Sequence, residues 1–144
     1  MDEAIQLVCP HCDTINRLSP ERSGEKPVCG RCKKLLFPGE ALELTAENFD
    51  RHLNHTDLPL LVDFWAPWCG PCRTMGPVIA EAARLLEPDV HVAKLNTDAE
   101  TAIAARYAIR SIPTMILFQQ GREVARISGA LGAADIVRWI RSVV

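Results

Sequence analysis

Apolar residues between Glu40 and Val144 follow two alternating rhythms. Leu60-Leu61-Val62-Asp63-Phe64-Trp65-Ala66 is an almost continuous apolar run of strand length, the pattern of a strand covered on both faces. After Cys69, residues Met75, Val78, Ile79, Ala82 and Leu86 fall on one helical face, and Pro77 inside this segment predicts one kinked helix. Val90–Leu95 predicts the next strand, followed by an Ala-rich helix through Tyr107. Thr114–Phe118 and Val124–Ile127 predict two strands joined at Gln119-Gln120-Gly121-Arg122, a hairpin turn. Ile136, Val137, Ile140 and Val143 form the stripe of a closing helix. At the start, Glu40–Leu44 leads into a helix that Thr45 is placed to cap, with Asn48 rather than Glu at the capping-box position. The order is strand, helix, strand, helix, strand, helix, strand, strand, helix. It predicts an α/β fold whose mixed central sheet, flanked by helices, is parallel early and antiparallel at the last hairpin.

Residues 1 to 36 break this rhythm. They hold four cysteines and three prolines with little periodic apolar sequence, too little for an ordinary core, so a staple is expected. Composition shifts at Phe37-Pro38-Gly39, giving a division into residues 1–38 and 39–144. Over 144 residues, 48% hydrophobic and 24% charged content argues against global disorder. Sixteen basic against eighteen acidic residues give a net charge of −2, which supplies no general attraction for nucleic acid or an acidic membrane. The acidic start has no signal-like apolar run and no segment reaches membrane-span length. A soluble, cytoplasmic protein is therefore the expectation, and it is taken as a monomer, a state these features do not fix.

Six cysteines fall into three Cys-x-x-Cys pairs. In a reducing compartment this spacing points to metal binding or redox chemistry. Cys9-Pro10-His11-Cys12 and Cys29-Gly30-Arg31-Cys32, with sixteen residues between the inner cysteines, place two sulfurs on each of two tight turns. Converging, they supply four thiolates to Zn²⁺ in a closed, structural site, one ion per chain, whose binding adds the folding energy this piece lacks. Arg17, Arg31, Lys33 and Lys34 read equally as offsetting the charge of such a site or as ordinary surface residues, and His11 is expected outside the ligand set. Two disulfides or a rubredoxin-like iron site share the spacing.

The third pair has a different context. Trp68-Cys69-Gly70-Pro71-Cys72 follows the apolar strand and opens a helix, so Cys69 sits where free N–H groups and the helix dipole favour a thiolate. Cys72 lies one turn along, close enough to form a disulfide and expected to be less exposed. Gly70 lets another chain approach closely, and Pro71 has no N–H to lose in a first helical turn. Cys69 would attack a substrate disulfide and Cys72 would resolve the mixed disulfide. Asp63, an acid on an apolar strand, is expected to have a raised pKa and to handle the proton of Cys72, with Lys94 on the neighbouring strand as its partner. Pro113, before the next strand, reads equally as cis or trans. Trp65 is expected to pack around the reactive turn, Trp68 to offer a flat face to substrates, and Trp139 to pack in a helix.

Together, Val62-Asp63-Phe64-Trp65-Ala66-Pro67-Trp68-Cys69-Gly70-Pro71-Cys72, Lys94-Leu95-Asn96, Ile112-Pro113-Thr114 and Gly129-Ala130 closely resemble the thioredoxin family over about residues 40–144. The four-cysteine extension narrows the resemblance to the bacterial thioredoxin 2 type. The resemblance implies a thioredoxin-like fold behind a zinc-ribbon-like module. It also implies a cytoplasmic protein-disulfide reductase, recharged by NADPH through thioredoxin reductase with no bound organic cofactor. Further implications are a nucleophilic Cys69, a resolving Cys72, buried Asp63 with Lys94, and a cis Pro113. A substrate groove at Trp68, Ile112, Gly129 and Ala130 and a zinc site at Cys9, Cys12, Cys29 and Cys32 complete the set. Gly76 departs from the family's usual Ala and is expected to loosen the helix or permit closer packing. The alternatives are an isomerase or oxidant on the same fold, or a zinc-dependent interaction or holdase protein with secondary redox activity.

Overall fold

A computed structural model describes residues 4–144. Two antiparallel strands, β1 (Ile5–Val8) and β2 (Ile15–Leu18), precede a short 3-10 turn at Pro20–Glu25. Then come β3 (Leu42–Leu44), α1 (Phe49–His55), β4 (Leu60–Trp65), α2 (Gly70–Leu86), β5 (His91–Asn96) and α3 (Thr101–Arg106), followed by β6 (Thr114–Gln119), β7 (Arg122–Ser128) and α4 (Ala133–Val143). The sheet order is β3-β5-β4-β6-β7, with β3, β5 and β4 parallel and the last two pairings antiparallel. This is the mixed sheet flanked by helices that the apolar rhythm predicts.

Side chains on a strand alternate between faces, and β4 uses both. Leu60, Val62 and Phe64 join Phe49, Leu95 and Phe118 in one core. Leu61 joins Met75, Ile79, Leu117, Ile136 and Ile140 in the other, beneath α2 and α4. Asp63 shares the alternation of Leu61, which turns its carboxyl toward α2. Trp139 packs against this second core, as expected.

Local chemistry sets the element boundaries. The Thr45 hydroxyl accepts the Glu47 N–H at 3.3 Å while Asn48 Oδ1 accepts the Thr45 N–H at 2.7 Å, so Asn48 takes over the reciprocal bond that Glu usually makes. The regular helix begins only at Phe49, later than Thr45 suggests. In the β6–β7 turn, Gln120 and Gly121 both have positive φ, 53° and 78°. A Cβ at Gly121 would also sit 3.1 Å from Asn54 Oδ1. The α2 helix runs unbroken through Pro77.

The amino-terminal module has a miniature core of Leu7, Cys9, Leu18, Cys29 and Leu36. It docks on the larger unit through main-chain and buried side-chain contacts. Gln6 donates its N–H to Asp57 Oδ2 at 2.6 Å and accepts the Asp57 N–H at 2.7 Å. Fully buried His52 on α1 meets Asp13 Oδ1 at 2.7 Å, and Arg51 Nε donates to the Asp13 carbonyl at 2.5 Å. Phe37 packs edge-on against buried His91, ring centres 5.2 Å apart. Burial holds the His91 pKa down at about 4, with neighbouring His52 acting in the same direction.

Candidate active site and metal centre

Cys69 is the N-cap of α2, in extended conformation, and Gly70 and Pro71 form the first helical turn. The Cys72 N–H, otherwise an orphan of that turn, points at Cys69 Sγ at 3.2 Å. Cys69 and Cys72 are joined as a disulfide. Their exposures are 4% and 3%, so the expected difference in accessibility is absent in the oxidised pair. Both sulfurs pack with Ala66, Trp65 and Ile112, whose bulk covers them.

The Ile112–Pro113 peptide is cis. The Ile112 carbonyl lies 3.8 Å from Cys69 Sγ, and the Pro113 carbonyl accepts the Gly129 N–H at 2.9 Å. Gly129 has φ of +100°, a region that side chains rarely occupy, and exposed Ala130 comes directly after it. Trp68 is 69% exposed and lines a groove of about 190 Å³ with Thr97, Ile109, Arg110 and Ile112. Its indole N–H donates to Asp98 Oδ1 at 3.3 Å. Asp98 is a site neighbour that sequence inspection missed; its place two residues after Asn96, whose side chain accepts the Asp98 N–H at 2.9 Å, was the available signal.

Behind the pair, a cleft of about 330 Å³ is lined by Asp63, Trp65, Cys72, Arg73, Gly76 and Lys94, among others. Asp63 and Lys94 are directly paired across β4 and β5. Burial raises the Asp63 pKa to about 7, with the Lys94 charge pulling the other way. Asp63 Oδ1 has no hydrogen-bond partner among the described residues, and Trp65 stacks under Lys94 Nζ at 5.8 Å. A Cβ at Gly76 would meet nothing within 4 Å, so this glycine widens the cleft rather than tightening a contact.

The other four cysteines form two knuckles of the same design. Cys9 and Cys29 each donate an N–H across their turn, to the carbonyls of Thr14 and Lys34, and their own carbonyls accept the N–H groups of Asp13 and Lys33. His11 N–H points at Cys9 Sγ at 3.3 Å and Arg31 N–H at Cys29 Sγ at 3.4 Å. Asp13 and Lys33, with φ of 61° and 67°, turn the chain back after each pair. All four sulfurs lie within 4.8 Å of one another, and the Cys9–Cys32 and Cys12–Cys29 separations are 3.7 Å. A tetrahedral ion with bonds of about 2.3 Å needs sulfurs about 3.8 Å apart, so the cluster fits a metal ion. Burial pushes the Cys9 thiol up to about 12. At Cys29 burial is outweighed by N–H groups of Cys32, Asn16 and Arg31, which bring it down to about 6. His11 stays exposed, its ring at 3.2 Å from the Leu35 carbonyl, outside the sulfur cluster as expected.

The family profile described as Thioredoxin matches residues 40–142, and that described as Thioredoxin 2, N-terminal, matches residues 8–34. The chain belongs to the thioredoxin family. It is 42% identical to thioredoxin C-3 of Corynebacterium nephridii over 93% of its own length and 92% of that protein. It is 45% identical to thioredoxin 1 of a Nostoc species over 63% of this chain and 85% of that one. A solved mutant thioredoxin from Halobacterium salinarum superposes with a TM-score of 0.66 at 33% identity, covering 74% of this chain and 92% of that chain. The chain thus has the thioredoxin fold with a redox-active Cys69–Cys72 pair suited to thiol–disulfide exchange, and beside it a four-cysteine zinc-ribbon-like module capable of coordinating a metal ion. No helix among the described residues is long and apolar enough to cross a membrane.

Proposed function

We propose that the chain is a cytoplasmic protein-disulfide reductase, monomeric, with a structural zinc module at residues 1–38 and its catalytic unit at 39–144. In the reduced form the Cys69 thiolate attacks one sulfur of a substrate disulfide and releases the other as thiolate. The Cys72 thiolate then attacks Cys69 Sγ, freeing the second substrate thiol and closing the Cys69–Cys72 disulfide. Asp63, poised near neutrality at the cleft beside Cys72, takes the Cys72 proton, and Lys94 tunes its affinity. An extended substrate would lie on the groove that Trp68 and Ile112 line and continue past cis Pro113, Gly129 and Ala130, with Gly70 and Pro71 exposed on the reactive turn. Two electrons from NADPH, delivered by thioredoxin reductase, reopen the pair.

Cys9, Cys12, Cys29 and Cys32 would hold Zn²⁺, which supplies folding energy to a module whose apolar core is five buried residues. The observation that carries the proposal is the Cys72 N–H aimed at the Cys69 sulfur on the helix N-cap, a ready stabiliser for a thiolate nucleophile. The test is NADPH-coupled reduction of a disulfide-bonded protein such as insulin, with thioredoxin reductase present. Turnover that vanishes in Cys69→Ser supports the assignment. Wild-type protein that cannot be recharged by the reductase, or that only forms disulfides in reduced substrates, overturns it.

A further inference from the structure

The two knuckles are alike in backbone geometry, yet one side chain joins them. Asn16, half-buried on β2, accepts the Gly30 N–H on Oδ1 at 2.9 Å. Its Nδ2 donates to the Thr14 carbonyl at 3.0 Å and lies 3.5 Å from Cys29 Sγ. The same Thr14 carbonyl receives the Cys9 N–H at 2.8 Å. One amide therefore spans from the backbone that orients Cys9 to the backbone and sulfur of Cys29, across thirteen to fourteen residues of chain. Apart from the sulfurs themselves, His11 also links the knuckles, through the Leu35 carbonyl, and that contact is exposed. Every hydrogen-bonding direction of the Asn16 amide but one lone pair is spent on this brace.

We propose that Asn16 is a positioning residue of the metal centre. It fixes the second knuckle against the first, and its amide N–H offsets the excess negative charge of four thiolates around a divalent ion. Neither role can be filled by a residue of similar size lacking the amide. Aspartate keeps the acceptor for Gly30 but loses the donor and adds a charge beside Cys29 Sγ; alanine loses both. Groups that orient metal ligands typically govern affinity by about 10- to 100-fold, and that is the loss expected here.

The inference rests on the four-cysteine site being a zinc site, and the experiment separates the two. Zinc alone is titrated into the reduced full-length chain against a chromophoric chelator at neutral pH, and its release into excess chelator is timed. Wild type, Asn16→Ala, Asn16→Asp and the exposed-surface control Arg22→Ala are compared, with circular dichroism and active-site turnover checking that the larger unit is folded. The expected result is one tightly held zinc in wild type and in Arg22→Ala, with binding about 10- to 100-fold weaker and release faster in both Asn16 variants. Asn16 variants within twofold of wild type, or an equal loss in Arg22→Ala, overturn the inference while leaving the zinc site standing. A wild-type chain that takes up no zinc overturns the zinc reading itself.

Discussion

Cys29-Gly30-Arg31-Cys32 and Cys69-Gly70-Pro71-Cys72 share a spacing and a glycine, yet one turn is built to hold and the other to exchange. In the first, the Arg31 N–H points at the Cys29 sulfur and Lys33, with φ of 67°, swings the chain back into a hairpin. Its sulfurs face a second knuckle within 4.8 Å. In the second, Pro71 has no N–H to offer, so the Cys69 sulfur takes the Cys72 N–H instead, and the chain runs on as a helix of 17 residues. Its two sulfurs have no other cysteine to meet and close on each other. The single residue between glycine and cysteine, together with the hairpin or helix into which the chain then continues, separates a pair disposed to hold a metal ion from a redox pair.

The sharpest break of this comparison is loss of the metal. Cys29→Ser or chelation is expected to unfold the knuckle module, since structural zinc contributes about 10 kcal/mol or more to such small units. Hydrogen exchange should show protection lost in β1 and β2, while thiol–disulfide exchange at Cys69 changes by no more than about threefold, since the two sites belong to separate buried clusters with no shared residue. The reciprocal variant, Cys69→Ser, should lower protein-disulfide reduction at least about a thousandfold while the chain still binds one zinc.

Asp63 gives the next effect. Its pKa in the fold, about 7, lies above the ordinary 3.8. Below pH 4 the carboxyl is protonated folded or unfolded, and no penalty exists. As pH rises from 4 to 7 the unfolded chain ionises first, so folding loses up to about 4 kcal/mol, and the loss is constant above 7. Asp63→Asn should therefore melt higher than wild type at pH 8 and near it at pH 4. The same variant should resolve mixed disulfides more slowly and lose the pH dependence near 7, measured by stopped-flow with Cys72 reduced.

His91 works in the opposite direction. Its folded pKa of about 4 lies below the ordinary 6.5, so stability is complete above pH 6.5 and falls by up to about 3 kcal/mol as pH drops to 4. Facing Phe37 and near His52, it ties this loss to the seam between modules. His91→Leu should flatten the acid limb of a denaturant-midpoint profile. The smallest effect is expected from Trp68→Ala, a few-fold fall in kcat/KM for a protein substrate with the redox potential unchanged, because an exposed ring contributes contact area to substrate and little to the pair.

Elements with strong periodicity were legible in the sequence: the β4 run, the α2 face and the β6–β7 hairpin all lie where their apolar patterns put them. The motif around Cys69 and the four-cysteine spacing were legible for the same reason, since spacing within a turn survives without knowledge of the fold. What escaped was long-range. His52 meeting Asp13 and His91 meeting Phe37 join residues 39 and 54 positions apart, and no local pattern announces such pairs. Burial equalised Cys69 and Cys72 for a related reason: beside the local Trp65 and Ala66, part of the cover comes from Ile112, forty residues downstream of Cys72.

The most direct measurement equilibrates the zinc-loaded chain in defined thiol–disulfide buffers, alkylates it, and counts modified cysteines by mass. The account predicts that only Cys69 and Cys72 titrate, as a two-electron pair with a midpoint near −270 mV, roughly the thioredoxin value. Since about 30 mV changes such an equilibrium tenfold, the assignment is sharply bounded. A midpoint near about −180 mV or higher, or knuckle cysteines oxidising over the same range, would contradict it.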